Sequence, residues 1–344
     1  MSESSSQPHD IVTIRDLHIR FNLGREKKTS LFRLAAKKEL HAVRGINLTI
    51  RSGETFSIVG ESGCGKSTVA RALAGVYKPS DGEIQFAWQD SANRGNREQN
   101  GTQMIFQDPY ASLNPRWRIG HSLAEPLILA KKIGNSRQAR QYCGELLEQV
   151  GLSARDLDKF PHEFSGGQRQ RISIARALAT QPSFLICDEP TSALDVSVQA
   201  QVLNLMRKIQ REHGLTYFFI SHNMAVISHI SDRVGVMYLG RIVEQGSVEE
   251  IFARPAHPYT RLLIAAIPQF DNPAAMREPI RGEAPSPLAP PPGCAFAPRC
   301  PYAQARCHQT MPPTHSLSNN HQIECHFPYE VMAHNDIIPL AQVS

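Results

Sequence analysis

The nine residues GESGCGKST, at positions 60–68, constrain the fold of this chain more than any other stretch. They follow the apolar run TFSIV and begin the run KSTVARALAG, which has the pattern of a helix closed by Gly75. Glycines between a strand and a helix let the backbone turn sharply and aim its N–H groups at an anion, and the helix N-terminus adds positive potential. In this context the spacing G-x-x-x-x-G-K-[ST] predicts a phosphate-binding loop in an α/β fold.

The loop residues carry suitable chemical groups for a bound nucleotide. Lys66 is long enough to reach the β- and γ-phosphates, and the Ser67 hydroxyl is a ligand type that binds Mg²⁺. The residues of this loop that we expect to bind nucleotide are Gly60, Glu61, Ser62, Gly63, Cys64, Gly65, Lys66, Ser67 and Thr68.

A second run, FLICDEP at 184–190, supplies two carboxylates. Its apolar residues predict a buried strand that ends in Asp188 and Glu189. We expect Asp188 to hold Mg²⁺, directly or through water, and Glu189 to orient and polarise the attacking water. Phosphoryl transfer depends on positioning and charge neutralisation, so this strand and the loop together predict hydrolysis of a nucleoside triphosphate.

The order of the patterned segments predicts the domain organisation. Strand-like runs alternate with helix-like runs, which is typical of an α/β sheet, and the span from about 110 to 180 is mainly helical. Twelve of the 24 prolines lie between 268 and 313, which disfavours a long helix or a central strand there. We therefore expect a domain over 11–267 and a proline-rich extension over 268–344.

Charge and hydropathy exclude several classes of protein. The net charge of +5 is mild and does not indicate the concentrated basic patch of a nucleic-acid-binding protein. No apolar run approaches the roughly 20 residues that cross a bilayer. The polar start MSESSSQPHD lacks the pattern of a secretory signal, so we expect a cytosolic chain that reaches a membrane through a partner.

The run FSGGQRQRISIARAL (164–178), just ahead of LICDEPTSALD (185–195), closely resembles the ATP-binding-cassette (ABC) family. Phe164 stands where the family usually has leucine, and we expect the change to be tolerated because the serine and glycines carry the chemistry. The resemblance implies a P-loop ABC ATPase cassette of the α/β class, with a RecA-like core sheet, an antiparallel β subdomain and a helical subdomain, followed by an irregular C-terminal extension. It also implies that the nucleotide is ATP, bound with Mg²⁺.

In this family two cassettes face each other head to tail, so that each ATP contacts both chains. The resemblance implies that this chain contacts the ATP of its partner through Ser165, Gly166, Gly167, Gln168 and Asp195. The serine and glycines open a helix, whose N-terminal N–H groups suit a γ-phosphate.

The same resemblance assigns a role to the glutamine that ends the predicted strand MIFQ. Gln107 would sense Mg²⁺ and water, completing a Mg²⁺ set with Ser67 and Asp188, and would contact a transmembrane subunit. The sequence pattern predicts that Gln107 ends its strand.

Two further site residues follow from the family pattern. His222 would hold the γ-phosphate and act with Glu189 in catalysis; Asn223 follows it where the family commonly has aspartate, and we expect slight weakening. Phe21, near the end of the first predicted strand, is the candidate for stacking on adenine, and the alternative is a core residue.

Several runs resemble the ATP-binding subunits of bacterial dipeptide and oligopeptide importers, over about 11–328. The most specific are HPYTRLLIAAIP (257–268) and GEAPSPLAPPPGCAFAPRCP (282–301), which ordinary cassettes lack. The resemblance implies an energy-coupling ATPase on the cytoplasmic face of the bacterial inner membrane. Its partners would be a second, related ATPase subunit, two transmembrane permease subunits and an extracytoplasmic substrate-binding protein, without nucleic acid. The alternative is a soluble non-transport ABC ATPase, either redox-sensing or linked to nucleic acid.

Four of the seven cysteines lie in the extension, with the spacing C-x5-C-x6-C-x17-C: Cys294, Cys300, Cys307 and Cys325. In a reducing compartment such a cluster favours metal binding over disulfides. Four thiolates hold either a tetrahedral zinc or an iron–sulfur cluster, and the spacing lacks the C-x2-C pairs common in structural zinc sites. The importer resemblance implies a [4Fe-4S] cluster; zinc and no bound metal remain as alternatives.

Overall fold

The chain forms a mixture of strands and helices in the part that the computed structural model describes, which is residues 9–25, 37–89, 101–132, 134–267 and 282–328. The strands are β1 (Asp10–Arg25), β2 (Lys37–Arg51), β3 (Thr55–Val59), β4 (Asp81–Phe86), β5 (Thr102–Ile105), β6 (Phe184–Asp188), β7 (Thr216–Ser221), β8 (Arg233–Tyr238), β9 (Arg241–Ser247), β10 (Thr314–Ser316) and β11 (Gln322–Glu324). The α-helices are α1 (Lys66–Leu73), α2 (Pro109–Ser112), α3 (Ile119–Leu129), α4 (Ser136–Gln149), α5 (Gly166–Leu178), α6 (Val196–His213), α7 (Met224–Ile230), α8 (Val248–Ala253), α9 (Pro258–Ala265) and α10 (Ala305–Gln309). Short 3-10 helices cover Ala87–Gln89, Ala154–Asp158, Pro161–Glu163 and Ala297–Arg299.

The described residues group into two compact units. The first unit comprises the described residues of 9–11, 51–55 and 87–220. The second comprises those of 12–50, 56–86 and 221–328. The candidate site residues are therefore distributed over both units, and each unit has its own buried core.

In the first unit three parallel strands carry the candidate carboxylates. Their order is β7-β6-β5, and Asp188 at the end of β6 lies opposite Ile220 in β7. Every residue of β6 and β7 is buried, as expected for parallel strands covered on both faces. Helix α5 packs against β5 and α6. Helices α2 to α5 lie within 109–178, in the span where the sequence predicts a helical subdomain.

The second unit contains two groups of strands. Strands β2, β1 and β4 form a three-stranded sheet in that order, in which β1 and β4 are antiparallel. The other group has the order β10-β11-β9-β8-β3. In it β3 and β8 are parallel, whereas β8–β9, β9–β11 and β11–β10 are antiparallel pairs. Because β3 is buried at every residue, the phosphate loop that follows it starts from the interior of this unit.

The C-terminal segment, residues 282–328, contributes strands as well as turns. Residues 282–313 are mostly turns and short helices, in agreement with their proline content. After Pro313 the chain forms β10 and β11, and β11 pairs with β9 through Ile323 and Glu244. The segment therefore lies in the same compact unit as the phosphate loop. The boundary predicted near 268 lies outside the described residues.

A buried carboxylate joins the C-terminal segment to β9. Glu244 is 1% exposed. It accepts hydrogen bonds from the backbone N–H groups of Ala256 (2.7 Å) and His257 (3.0 Å), and it lies 2.7 Å from Nε2 of His321. A buried charge is tolerated when such polar groups satisfy it. Glu244 thus connects β9, the start of α9 and the turn that precedes β11.

We expect Glu244→Ala to lower the free energy of unfolding by about 3–5 kcal/mol, because two buried backbone donors and His321 lose their acceptor. Urea unfolding of the purified chain measures this change. The matched control is Glu249→Ala, since Glu249 is exposed on α8, and its expected cost is below about 1 kcal/mol. Similar losses in the two variants would contradict the role assigned to Glu244.

Candidate nucleotide-binding site

The phosphate loop lies so close to neighbouring backbone that two of its positions exclude any side chain. A Cβ on Gly60 would lie 2.1 Å from the carbonyl oxygen of Met237, and one on Gly65 would lie 2.3 Å from that of Ala42. Gly65 also has a φ of 112°, in the region that favours glycine. Tertiary contacts, and not flexibility alone, therefore require glycine at these two positions.

Lys66 begins α1, and its side chain folds back over the loop. Its Nζ donates to the carbonyl oxygens of Gly60 (2.7 Å) and Glu61 (2.9 Å), and the residue is 5% exposed. Gly65, the residue before the helix, supplies no side-chain cap to its first turn. Glycine-rich backbone, an uncapped helix start and an ammonium group form a set of donors that fits a phosphate.

The two carboxylates at the end of β6 lie in the first unit, and Gln107 contacts one of them. Asp188 is 4% exposed, whereas Glu189 is half-buried. Nε2 of Gln107 donates to Oε2 of Glu189 over 3.1 Å. Gln107 lies two residues beyond the end of β5 at Ile105, so the prediction that it ends the strand is wrong. In the turn after the strand, its amide reaches the carboxylate.

Glu189 has a backbone conformation that is rare for a residue with a side chain. Its φ is 48°, in the left-handed region, which costs about 1–3 kcal/mol for a residue other than glycine. Its N–H donates to the carbonyl oxygen of Ile220, and its own carbonyl accepts from the Ser192 hydroxyl. These bonds fix the strained turn, which directs the carboxylate towards Gln107.

The predicted trans-acting run forms the N-terminus of α5. The Ser165 hydroxyl accepts from the N–H of Gln168 (3.3 Å), and the Gln168 side chain accepts from the N–H of Ser165 (2.9 Å), which makes a capping box. The hydroxyl proton of Ser165 can still be donated to a phosphate oxygen, because the hydroxyl is both donor and acceptor. The preceding Phe164 ring is buried.

Gly167 has a structural reason to be glycine that its motif does not indicate. A Cβ there would lie 2.3 Å from Cγ1 of Val198 on α6. A β-branched side chain on a helix has little rotamer freedom, so Val198 cannot easily move aside. Gly167 therefore allows α5 and α6 to pack closely, in addition to any contact with nucleotide.

The residues around His222 are arranged by the start of α7. His222 is exposed and directly follows β7. The Asn223 side chain accepts from the N–H of Ala225 (2.9 Å) and caps α7, a role that asparagine fills as well as aspartate does. Asp195 precedes α6, is exposed and makes no side-chain cap hydrogen bond. Its carboxylate is therefore not used in capping the helix.

Phe21 lies on β1 beside a second aromatic residue. Its ring meets that of Tyr77 edge to face, with centroids 5.1 Å apart, and it is half-buried. The geometry leaves the adenine-stacking role of Phe21 a prediction.

The four cysteines of the C-terminal segment line one small pocket, together with His257, Phe296 and Phe327 among others. All four cysteines are free thiols. Burial raises the pKa of the Cys300 thiol to about 12 and that of Cys325 to about 11, so both are neutral near pH 7 unless a cation displaces the proton. Within the described part of the chain, no group of three or more His, Cys, Asp or Glu side chains is placed to hold a metal ion. The four thiols therefore share one pocket, but among the described residues they are not arranged as a metal site.

Helices long and apolar enough to cross a membrane are absent from the described residues.

Comparison with protein families identifies two regions of this chain. Residues 43–192 match the family model described as ABC transporter. Residues 243–307 match the model of the oligopeptide/dipeptide transporter C-terminal region. The second match includes three of the four clustered cysteines.

Related proteins match nearly the whole chain. It is 45% identical over 321 residues to the di/tripeptide transport ATP-binding protein DppF of Pseudomonas aeruginosa, covering 92% of this chain and 97% of that protein. It is 46% identical over 322 residues to the oligopeptide transport ATP-binding protein OppF of Salmonella typhimurium, covering 92% and 95% of the two chains.

Solved structures support the fold. The ATP-binding cassette MJ0796, in a dimeric post-hydrolysis state bound to ADP and Pi, is 26% identical and covers 69% of this chain and 99% of that chain, with a TM-score of 0.58. CbiO1 from Clostridium perfringens, part of the ABC transporter complex cbiONQ, is 27% identical, with a TM-score of 0.57. The match covers 71% of this chain and 90% of the CbiO1 chain. The predicted α/β P-loop ABC cassette is confirmed by these similarities.

Proposed function

This chain belongs to the ABC transporter family, among the ATP-binding subunits of dipeptide and oligopeptide importers, and from that premise we propose that it hydrolyses ATP to drive the import of small peptides. One observation carries the assignment: an ABC transporter match over 43–192 and a peptide-transporter C-terminal match over 243–307 occur in one chain. The alternative of a soluble non-transport ATPase is not favoured, because the similarity to peptide transport subunits extends over 92% of the chain.

The phosphate loop would bind the triphosphate of ATP. Its backbone N–H groups and Lys66 neutralise the β- and γ-phosphates, which requires Lys66 to leave the carbonyl oxygens that it now contacts. Ser67, Gln107 and Asp188 would hold Mg²⁺. The bound ion would supply charge neutralisation for the phosphates. Phe21 would pack against the adenine.

Glu189 and His222 would act on the reacting groups. Glu189 accepts a hydrogen bond from the attacking water and orients it towards the γ-phosphate, and His222 holds that phosphate. The Gln107 amide restrains the Glu189 carboxylate through their 3.1 Å contact. A related second cassette would complete the site. In turn, Asp195 and residues 165–168 at the start of α5 would contact the ATP that the second cassette binds.

We expect Glu189→Gln to retain MgATP binding and to reduce hydrolysis at this chain's site by about 100-fold or more, because an amide cannot orient and polarise water as a carboxylate does. Phosphate release should be measured on the assembled importer, with the equivalent glutamate of the partner cassette also changed to glutamine. Glu212→Gln, an exposed change on α6, is the control. Hydrolysis near the wild-type rate would show that Glu189 does not position the water.

We further propose that a cytoplasmic segment of a permease subunit docks in a groove of the first unit, which would hold this chain at the inner face of the membrane. The groove has a volume of about 370 Å³ and lies between the end of β5, the end of α3 and α5; Phe106 and Leu129 line it. Phe106 is 49% exposed and Leu129 is 78% exposed, so the groove presents apolar surface. A segment seated against Phe106 would also move the adjacent Gln107, and through it Glu189. The groove would thereby link transport to hydrolysis.

Leu129→Glu should leave MgATP binding by the purified chain within about twofold of wild type, since Leu129 is far too exposed to support the core. The same change should abolish co-purification with the permease subunits and peptide uptake, because it places a charge in an apolar contact. Val76→Glu is the matched control, as Val76 is 62% exposed and lies outside the groove. Normal assembly and uptake with Leu129→Glu would exclude the groove as the docking site.

For the cysteine pocket we propose a [4Fe-4S] cluster held by Cys294, Cys300, Cys307 and Cys325. Support comes from the convergence of the four thiols on one pocket and from the match to the peptide-transporter C-terminal region. A single zinc ion needs all four sulfurs about 2.3 Å from one point, whereas a four-iron cluster bonds each thiolate to a different iron and takes wider spacing. The cluster would cross-link a segment that otherwise buries little apolar surface.

Protein purified without oxygen should be brown and should contain about four irons and four acid-labile sulfides per chain. Cys300→Ser should lose the colour, and Cys143→Ser, a buried change in α4, should keep it. One zinc per chain without colour would establish a zinc site instead, and no metal would exclude both.

A further inference from the structure

The C-terminal segment contacts the phosphate loop directly. Nη1 and Nη2 of Arg299 donate to the two carboxylate oxygens of Glu61 over 2.8 Å and 3.0 Å, and Nη1 also donates to the Tyr238 hydroxyl over 3.2 Å. The Arg299 side chain is 6% exposed and that of Glu61 is 30% exposed. A two-bond contact of this kind fixes both partners in one geometry and is stronger than an exposed ion pair.

Glu61 is the second residue of the loop, and it is held at three points. Its carboxylate binds Arg299, its N–H donates to the Tyr259 hydroxyl over 2.8 Å, and its carbonyl oxygen accepts from Lys66 over 2.9 Å. Lys66 is the residue that would reach the phosphates. The position of Glu61 therefore fixes one of the carbonyl oxygens that the Lys66 ammonium must leave in order to reach the phosphates.

Arg299 is itself held by an aromatic cluster. Phe296, three residues earlier, is 1% exposed and packs against Tyr238 and Tyr259, with centroid distances of 5.2 Å and 5.4 Å. The two tyrosine rings meet edge to face at 4.8 Å. The same tyrosines whose hydroxyls bind Arg299 and Glu61 thus pack on the segment that carries Arg299.

The cysteine pocket continues into this cluster. Phe296 lines the pocket, and Arg299 immediately precedes Cys300 at the end of the short helix Ala297–Arg299. The placement of Arg299 consequently depends on how the C-terminal segment is folded around the pocket.

We propose that Arg299 is a positioning residue of the nucleotide site: by fixing the Glu61 side chain it holds the first turn of the phosphate loop in the conformation that binds MgATP. The C-terminal segment is then a structural part of that site. This inference rests on the proposed function, because it requires the loop to bind MgATP. The Glu61 carboxylate also raises the pKa of the Arg299 guanidinium above its usual value, so the arginine stays charged at neutral pH.

The test is the MgATP affinity of the full-length chain, measured by equilibrium binding with wild type, Arg299→Gln, Glu61→Gln and the double variant. We expect the dissociation constant to rise roughly 3- to 10-fold in each single variant and to rise no further in the double variant, because both changes remove the same contact. Arg299→Lys should restore part of the affinity, since it keeps the charge and loses the two-bond geometry.

Arg241→Gln is the matched control. Arg241 makes a similar two-bond contact with Glu324, with both distances 2.8 Å, and so fixes the C-terminal segment to β9 without touching the loop. Arg241→Gln should lower the unfolding temperature as Arg299→Gln does. It should leave the dissociation constant for MgATP within about twofold of the wild-type value. Wild-type affinity in Arg299→Gln, or equal weakening in Arg241→Gln, would overturn the inference. A wild-type chain that bound no MgATP would instead overturn the proposed function, and this inference with it.

Discussion

The close packing of the phosphate loop against β8 is the constraint on which the rest of the second unit depends. A Cβ on Gly60 would lie 2.1 Å from the Met237 carbonyl oxygen, so the loop begins in direct backbone contact with that strand. The next residue of β8, Tyr238, accepts a hydrogen bond from Arg299. One strand therefore supports both the loop and the C-terminal segment that contacts it. A displacement of β8 would affect the loop through Gly60 and the segment through Tyr238.

Polar contacts help to hold the C-terminal segment in place, which matters because a proline-rich chain buries little apolar surface. Glu244 contacts His321 and the start of α9, and Arg241 pairs with Glu324. Directional contacts of this kind specify one arrangement of a segment that hydrophobic burial alone would specify weakly. They explain how residues 282–328 join the unit that contains the loop and do not form a body of their own.

Local patterns in the sequence predicted the strands and helices around the candidate site residues well, and the distant contacts of those residues poorly. The strand–loop–helix around Lys66, the buried strand that ends in Asp188 and the helix that starts after Ser165 were all predicted from short runs, because each depends on residues adjacent in the chain. The position of Gln107 beyond β5 was not predicted, since the apolar pattern of QMIFQ does not mark where strand pairing stops. Strands β10 and β11 were also missed, because the preceding prolines dominate the pattern of the segment.

By itself the sequence determined the class of fold, the phosphate loop, the candidate carboxylates and the resemblance to peptide importers, since these follow from residue types at fixed local spacing. The tertiary structure alone decided which side chains meet. Gln107 contacts Glu189 across 82 positions of sequence, and Arg299 contacts Glu61 across 238. It also decided that Gly167 is required by the packing of Val198. Local periodicity indicates which face of an element is buried, and it carries no information about which distant residue lies opposite. Strand pairing and helix packing determine which distant residues come into contact.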